Sequence, residues 1–368
     1  MTQADVLGFQ TASPAVTVER AVAELRFGRP VVLKDGASNL AVLALDSASP
    51  DVFNRFAATV NDRHSLLLTA ERSESLGLHL SRDIAVSLSG MDFDATSRLA
   101  YALEAKTPSE WQQASPLMSL SATLARTALL LPAMVCADIE EDDARFAGCH
   151  RIDRSDLFES ADMRQKFEMV VKTRVPLKDV GDAEFAVFRG GLAQKDQVAI
   201  IVGKPDVSGP VPVRIHSSCI TGDLFGSLKC DCGDQLRNGL VQLKEAGGGV
   251  LVYLDQEGRG TGIGAKMRAY GYQHKGLDTI DADAQLGLGS DHRRYEAAST
   301  ILNLLNIEGV VLYTNNPSKI EGLRAGEIKV DARVPVTGSV TAENANYLRT
   351  KAERAGHIFD LKSLIAAE

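Results

Sequence analysis

The chain has 368 residues, 45% hydrophobic and 24% charged, a globular composition that excludes fibrous and disordered classes and leaves room for two domains. Its 40 Lys and Arg against 48 Asp and Glu give a formal charge of -8. That balance argues against a broad nucleic-acid or anionic-membrane footprint, so neither partner is expected and a polyanionic substrate needs a locally basic site.

In chain order, residues 1–10 show no basic segment followed by an apolar stretch, so no signal peptide is read there. The longest apolar run, 128–135, contains Pro132 and is too short to span a bilayer. Five cysteines, odd in number and unevenly placed, make a poor disulfide framework and suit a reducing compartment, so the expected location is cytoplasmic. Residues 17–34 read as a helix capped by Thr17 and stopped by Gly28, followed by a strand at Val31–Leu33. A second helix-rich stretch covers about 108–131, and the connection between domains is placed within or just after the acidic run between Asp138 and Asp156.

From Val171 onward, short apolar stretches alternate with Gly- and Pro-containing turns, predicting sequential strands. Beyond Cys232, helix and strand alternate. Leu236, Leu240 and Leu243 mark a helix face, Val250–Leu254 a buried strand, a Gly-rich loop at 255–264 leads into another helix, and Val310–Tyr313 is the last strand. Asn316 and Pro317 then open a helix as cap and first-turn residue. The predicted fold is α/β with mixed α+β elements. A mixed sheet with helices on its faces spans 171–368, preceded by a separate α/β domain at 1–150 and a connecting segment at 151–170.

Three of the five cysteines, Cys219, Cys230 and Cys232, lie within fourteen residues. An i, i+2 pair in extended chain points both sulfurs to one side, and three soft ligands favour zinc. Three protein ligands leave a coordination position for water, which zinc can ionise near neutral pH, whereas a fourth would close the site as a structural one. Buried thiols without metal, or closure by His216, are the competing readings. Hydroxyls, small residues and charge surround the thiols, unlike a core segment, and favour the catalytic site.

The strand, Gly-rich loop and helix at 250–270 have the form of a backbone anion site, although neither a Walker nor a Rossmann signature is present. Basic residues stand at several loop ends: Arg214, Arg259, Lys266, Arg293 and Lys319. Asp291, two residues before Arg293, is either one half of a surface ion pair or an acid that sets the guanidinium beside a phosphate.

The ordered series RIHSSCITGD, SLKCDCGDQL, QEGRGTGI, RAY, LGLGSDHRRY and TNNPSK resembles GTP cyclohydrolase II, over about residues 172–358. The resemblance implies a homodimer that takes GTP, with catalytic zinc and a magnesium ion on the triphosphate. It implies opening of the guanine imidazole ring, with formate, pyrophosphate and a diamino-ribosylamino-pyrimidinone phosphate as products, at the entry to riboflavin synthesis. Carried across, it makes Cys219, Cys230 and Cys232 the zinc ligands. It places Arg214, Ile215, His216, Ser217, Ser218, Gln235, Glu257, Gly258, Arg259, Thr279, Thr314 and Lys319 around GTP. Asp291 becomes a proton acceptor, Tyr270 a catalytic tyrosine, and Arg293 a nucleophile at the α-phosphate, although a guanidinium stays protonated and an electrostatic role competes. Ser218 departs from members that carry glutamate there. The alternatives are a catalytically retired GTP-binding regulatory protein and a related purine triphosphate cyclohydrolase that stops at the formamide. Residues 21–35 resemble the opening of dihydroxybutanone phosphate synthase, but the chain continues GASNLAVLALD where that family carries its magnesium-binding acids. This implies a degenerate domain without synthase activity.

Overall fold

The computed structural model describes residues 13–163, 166–192, 195–289, 291–354 and 358. The amino-terminal ten residues and Ser290 of the LGLGSDHRRY series lie outside these. The chain divides into two compact units, each with its own seven-stranded sheet. The first comprises 1–163 together with 267–275 and 281–289; the second comprises 164–266, 276–280 and 290–368.

The first unit runs α1 (Pro14–Arg26), β1 (Val31–Asp35), β2 (Ser38–Ala44), α2 (Pro50–Thr59), β3 (Ser65–Leu68) and α3 (Ala70–Ser75). It continues with β4 (Ile84–Ser87), α4 (Phe93–Tyr101), β5 (Gln112–Gln113), α5 (Pro116–Thr127), β6 (Met134–Ile139), β7 (His150–Asp153) and α6 (Arg154–Met163). Its strands lie in the order β5-β4-β3-β6-β2-β1-β7, antiparallel except where β7 joins β1. Helix α1 starts three residues before the expected Thr17, because Pro14 takes the first turn, where its missing N–H costs nothing. Only 116–127 of the expected 108–131 helix forms. Pro116 sets its start, and Ser115 caps it by accepting from Met118 N at 3.2 Å. The acidic run carries β7, paired to β1, and leads into α6, and the first unit continues to Met163.

The second unit holds β8 (Phe167–Arg174), β9 (Ala183–Gly190), β10 (Gln197–Gly203), β11 (Val211–Ser217), α7 (Ile220–Asp223), α8 (Cys232–Glu245) and β12 (Gly248–Leu254). Helices α9 (Ile263–Gln273) and α10 (Thr279–Gln285) then run through both units' segments. The second unit closes with α11 (Glu296–Leu304), β13 (Gly309–Tyr313), α12 (Pro317–Ala325), β14 (Lys329–Val334) and α13 (Ala345–Glu353). Its sheet order is β14-β13-β11-β12-β10-β9-β8, parallel from β14 to β12 and antiparallel beyond. The sheet is therefore mixed, as expected, but β14 follows β13 as a further strand. Both edges, β8 and β14, are largely exposed and lack the apolar alternation that reveals a half-buried strand.

Val211, Val213 and Ile215 of β11 share one core with Val250, Val252, Leu254, Val310 and Leu312. Those residues line one face of three adjacent parallel strands, as the period of two requires. The loops that follow β11, β12 and β13 therefore leave the sheet on the same edge, beyond the strands' carboxyl ends, where ligands bind in parallel α/β sheets.

Candidate metal and nucleotide site

Cys219 follows the end of β11, and Cys230 and Cys232 precede and open α8. Their three sulfurs lie within 4.8 Å of one another, with Cys219 Sγ 3.6 Å from Cys230 Sγ. Tetrahedral sulfurs held about 2.3 Å from one zinc stand roughly 3.8 Å apart, so the donor set and its spacing fit that ion. The approach depends on Gly222. A Cβ there would sit 2.9 Å from Cys230 Sγ and 3.2 Å from Cys219 Sγ. Gly233 is equally constrained, since its Cβ would meet Gly222 O at 2.2 Å.

Lys266, from the first turn of α9, donates to Cys219 Sγ at 3.1 Å, Thr221 Oγ1 at 3.0 Å and Glu257 Oε1 at 2.7 Å. Glu257 also accepts from Ile220 N at 2.6 Å, tying the loop after β12 to the start of α7. Hydrogen bonds from the Cys230 and Cys232 thiols, with help from the Lys266 ammonium, hold Cys219 well below the ordinary thiol range. Cys230, bonded to the sulfur that ionises first, is pushed up to about 11. Lys266, read from sequence as one of the phosphate-binding cations, thus faces sulfur and carboxylate.

His216 directs both ring nitrogens to other partners. Its Nε2 lies 3.0 Å from Asp223 Oδ1, and Arg214 Nη2 approaches its Nδ1 at 3.4 Å. Arginine has only donors, so Nδ1 accepts and Nε2 carries the proton given to Asp223. Burial holds the imidazole below its usual pKa despite Asp223, and its face stacks on Tyr253 at 5.5 Å between ring centres. Asp223 also accepts from Cys219 N at 3.0 Å and Tyr253 OH at 2.8 Å. One carboxylate therefore fixes an imidazole, a phenol and the backbone of the first cysteine. Sequence reading passed over Asp223 and Tyr253; the aspartate four residues after Cys219 was the available signal for the first.

Arg214 is 3% exposed, and burial lowers its pKa to about 10. It donates to Gln235 Oε1 at 3.0 Å and Tyr313 O at 3.3 Å, and Gln235 donates to Asp231 at 2.5 Å. Gly239 makes room for it, since a Cβ there would meet Arg214 Cδ at 2.3 Å. Lys319, 8% exposed, donates to Ile215 O at 2.7 Å and lies 5.7 Å from the Tyr295 ring centre. Thr314 is buried at the end of β13, its Oγ1 accepting from Asn316 N at 3.0 Å. Asn316 caps α12 as expected and donates to Tyr295 OH at 3.3 Å. Ser218 Oγ accepts from Gln256 N at 3.1 Å, and Ser217 Oγ donates weakly to Gln256 Oε1 at 3.4 Å.

Gly258 and Arg259 both adopt left-handed backbone, at φ 61° and 59°, and Arg259 O accepts from His292 N at 3.0 Å. For arginine that conformation is strained, and the neighbouring chain holds it. Asp291 grips Arg293 through both carboxylate oxygens, with Nε at 2.9 and 3.1 Å, and accepts from Arg293 N at 2.9 Å. Burial pulls the Arg293 guanidinium down, but the Asp291 bonds prevail and raise it above its ordinary value. It stays charged. Thr279 opens α10 in the second unit, whereas Tyr270 belongs to the first unit's part of α9, one turn beyond Lys266.

Three sequence comparisons decide the family. The family model for GTP cyclohydrolase II matches residues 168–335. A GTP cyclohydrolase-2 of Xylella fastidiosa is 51% identical over 96% of this chain and 90% of its own length. One from Azospirillum brasilense is 37% identical over 93% and 94%. This chain belongs to the GTP cyclohydrolase II family. It is an enzyme of the hydrolase class. The riboflavin biosynthesis protein RibBA of Bacillus mycoides is 41% identical over 54% of this chain and 51% of that protein. Among solved structures, a two-domain 3,4-dihydroxy-2-butanone 4-phosphate synthase from A. baumannii covers 88% of this chain and 99% of its own, at 19% identity and a TM-score of 0.30. Among the described residues, no helix is long and apolar enough to cross a membrane.

Proposed function

We propose that this GTP cyclohydrolase II acts in riboflavin biosynthesis, with zinc on Cys219, Cys230 and Cys232 and magnesium on the substrate triphosphate, releasing formate and pyrophosphate and leaving the pyrimidinone phosphate. The observation that carries this reading is the gathering of three thiols with both His216 nitrogens engaged elsewhere. When bound, zinc supplies Lewis acidity and an activated water for attack on the imidazole carbon.

The surrounding residues act on that centre. Lys266 offsets the negative charge gathered on three thiolates, and Asp223 holds the Cys219 backbone and the His216 ring in place. Arg214 supports His216 from behind, with Nη1 given to Tyr313 O and Nη2 shared between Gln235 Oε1 and His216 Nδ1. Arg293, kept charged by Asp291, serves electrostatic stabilisation of the phosphate chain better than nucleophilic attack. Tyr270 and Thr279 take the catalytic and nucleotide-binding roles that the family resemblance assigns. The enzyme acts as a homodimer in the cytoplasm. The amino-terminal unit makes no dihydroxybutanone phosphate, since GASNLAVLALD stands where the synthase family carries its magnesium-binding acids.

The test is incubation with GTP, zinc and magnesium, following formate, pyrophosphate and product mass together. Cys230→Ser should lose both zinc and ring opening. Full ring opening by a Cys230→Ser protein stripped of zinc would defeat the assignment.

A further inference from the structure

Where the family-matched region ends, the chain leaves β14 and runs along α8 toward the thiols, within the second unit throughout. Its start is anchored: Val336 is buried, gives its N–H to Asn315 Oδ1 at 3.3 Å and accepts from Asn315 Nδ2 at 2.6 Å. From there α8 supplies a ladder. Gln242 donates to Pro335 O at 3.4 Å, Asn238 donates to Thr337 O at 2.9 Å, and Asp234 accepts from Ser339 N at 3.2 Å. The helix residues are spaced by four and their partners by two. Four residues of helix rise about 6 Å and two residues of extended chain advance about 6.6 Å, so the rungs match an extended chain running antiparallel to α8.

The ladder ends beside the thiols. Cys232 opens α8, two residues before Asp234. Gly338, between the last two rungs, lies against the residue that separates Cys230 from Cys232. A Cβ on Gly338 would meet Asp231 Cβ at 2.7 Å and Asp231 O at 3.0 Å. Asp231 is itself buried and accepts from Gln235, the same glutamine that takes a bond from Arg214. Asn344, also buried, then closes the segment on itself, accepting from Thr341 N at 2.9 Å and donating to Ser339 O at 2.9 Å. Thr341 Oγ1 makes a long contact with Leu228 O at 3.5 Å, on the loop that leads into Cys230.

We infer that Gly338 and Asp234 are positioning residues for the metal centre: the 335–344 segment braces Asp231 and the start of α8, and so sets how the Cys230 and Cys232 sulfurs stand to each other. This rests on the reading of the three thiols as a zinc site. The brace bears on the metal as well as on the fold, because its last contacts fall on residues directly beside the two cysteines.

The experiment compares the whole wild-type chain with Gly338→Ala, Asp234→Ala, Asp234→Asn and Ile201→Val. Three quantities are measured: zinc affinity by chelator competition, the thiolate-to-metal absorption of the cobalt(II)-loaded proteins, and thermal melting without metal. Gly338→Ala forces Asp231 to move. Asp234→Ala removes the acceptor for Ser339 N, whereas Asp234→Asn keeps one; both lose the exposed pair with Arg237, which is worth little. Ile201→Val thins the core on the sheet face away from Leu243 of α8. Losing a residue that supports metal ligands costs about 10- to 100-fold in affinity. Gly338→Ala and Asp234→Ala should therefore each weaken zinc binding by about tenfold and shift the cobalt absorption, with Asp234→Asn near wild type. Ile201→Val should lower the melting temperature and leave zinc affinity and absorption unchanged. A wild type that binds no zinc would overturn the reading of the thiols, and this inference with it. A zinc-binding wild type whose affinity survives both Gly338→Ala and Asp234→Ala, or falls equally in Ile201→Val, would overturn the positioning role alone. Should Gly338→Ala fail to fold, the contrast between the two Asp234 variants decides.

Discussion

Replacing Gly222 by alanine is a direct probe of the thiol cluster. The added methyl would lie 2.9 Å from Cys230 Sγ, 3.1 Å from Cys232 Cβ and 3.2 Å from Cys219 Sγ. Carbon atoms in optimal contact sit about 3.5–4.0 Å apart, and sulfur is larger, so the sulfurs must move by several tenths of an ångström. The backbone at Gly222 is not in the left-handed region, so the penalty is steric. Overpacking of this kind costs about 1–3 kcal/mol. The strain bears chiefly on the state in which the sulfurs converge on one ion, because in the metal-free protein they can spread. At about 1.4 kcal/mol per tenfold, Gly222→Ala should weaken zinc binding by about 5- to 140-fold. Competition with a chromogenic chelator at fixed pH measures the affinity, and melting with and without metal confirms that the fold persists. A folded variant that binds zinc as tightly as wild type would refute the claim that this glycine lets the cluster close.

Two further predictions follow from the same physical chemistry. Asp223→Asn should cut GTP turnover by about 10- to 100-fold, the usual effect of losing a residue that orients a metal site, while circular dichroism stays unchanged. His64 is 3% exposed, packs edge-on to Phe53 at 5.7 Å, and neither ring nitrogen has a hydrogen-bond partner among the described residues. Burial lowers its pKa below 6.5, against the pull of Asp62. As pH falls below 6.5, the unfolded chain takes up this proton before the folded one does, so stability should fall between 6.5 and the lowered folded value. Melting curves from pH 7.5 to 5 should show that loss in wild type and a smaller one in His64→Phe; identical pH slopes would refute it.

The thiol cluster was legible because its residues lie in short runs with local chemistry, RIHSSC and CDC. Asp223 and Tyr253 were passed over, and Lys266 was read as a phosphate ligand, because their meaning lies in convergence from α7, β12 and α9, which spacing along the chain does not encode. Lys266 looked like a phosphate ligand for the same reason: a cation after a Gly-rich loop has no visible partner until the loop folds beside Cys219. The membership of 267–275 and 281–289 in the first unit was equally hidden. Their buried contacts are made with residues about 170 to 220 positions earlier, and a small apolar face on a short helix does not identify its neighbour. Strands β8 and β14 escaped notice at the exposed sheet edges, where little burial imposes a pattern.

Strand β11 has one last consequence. Val211, Val213 and Ile215 face the core, while the intervening Arg214 and His216 serve the site. Sliding the strand one residue against β12 would turn the imidazole inward and present isoleucine to Asp223. Insertions in the short turns feeding this strand should therefore be far less tolerated than point changes on the outer edges, and drift in this sequence should be confined to substitutions that keep the two-residue rhythm intact.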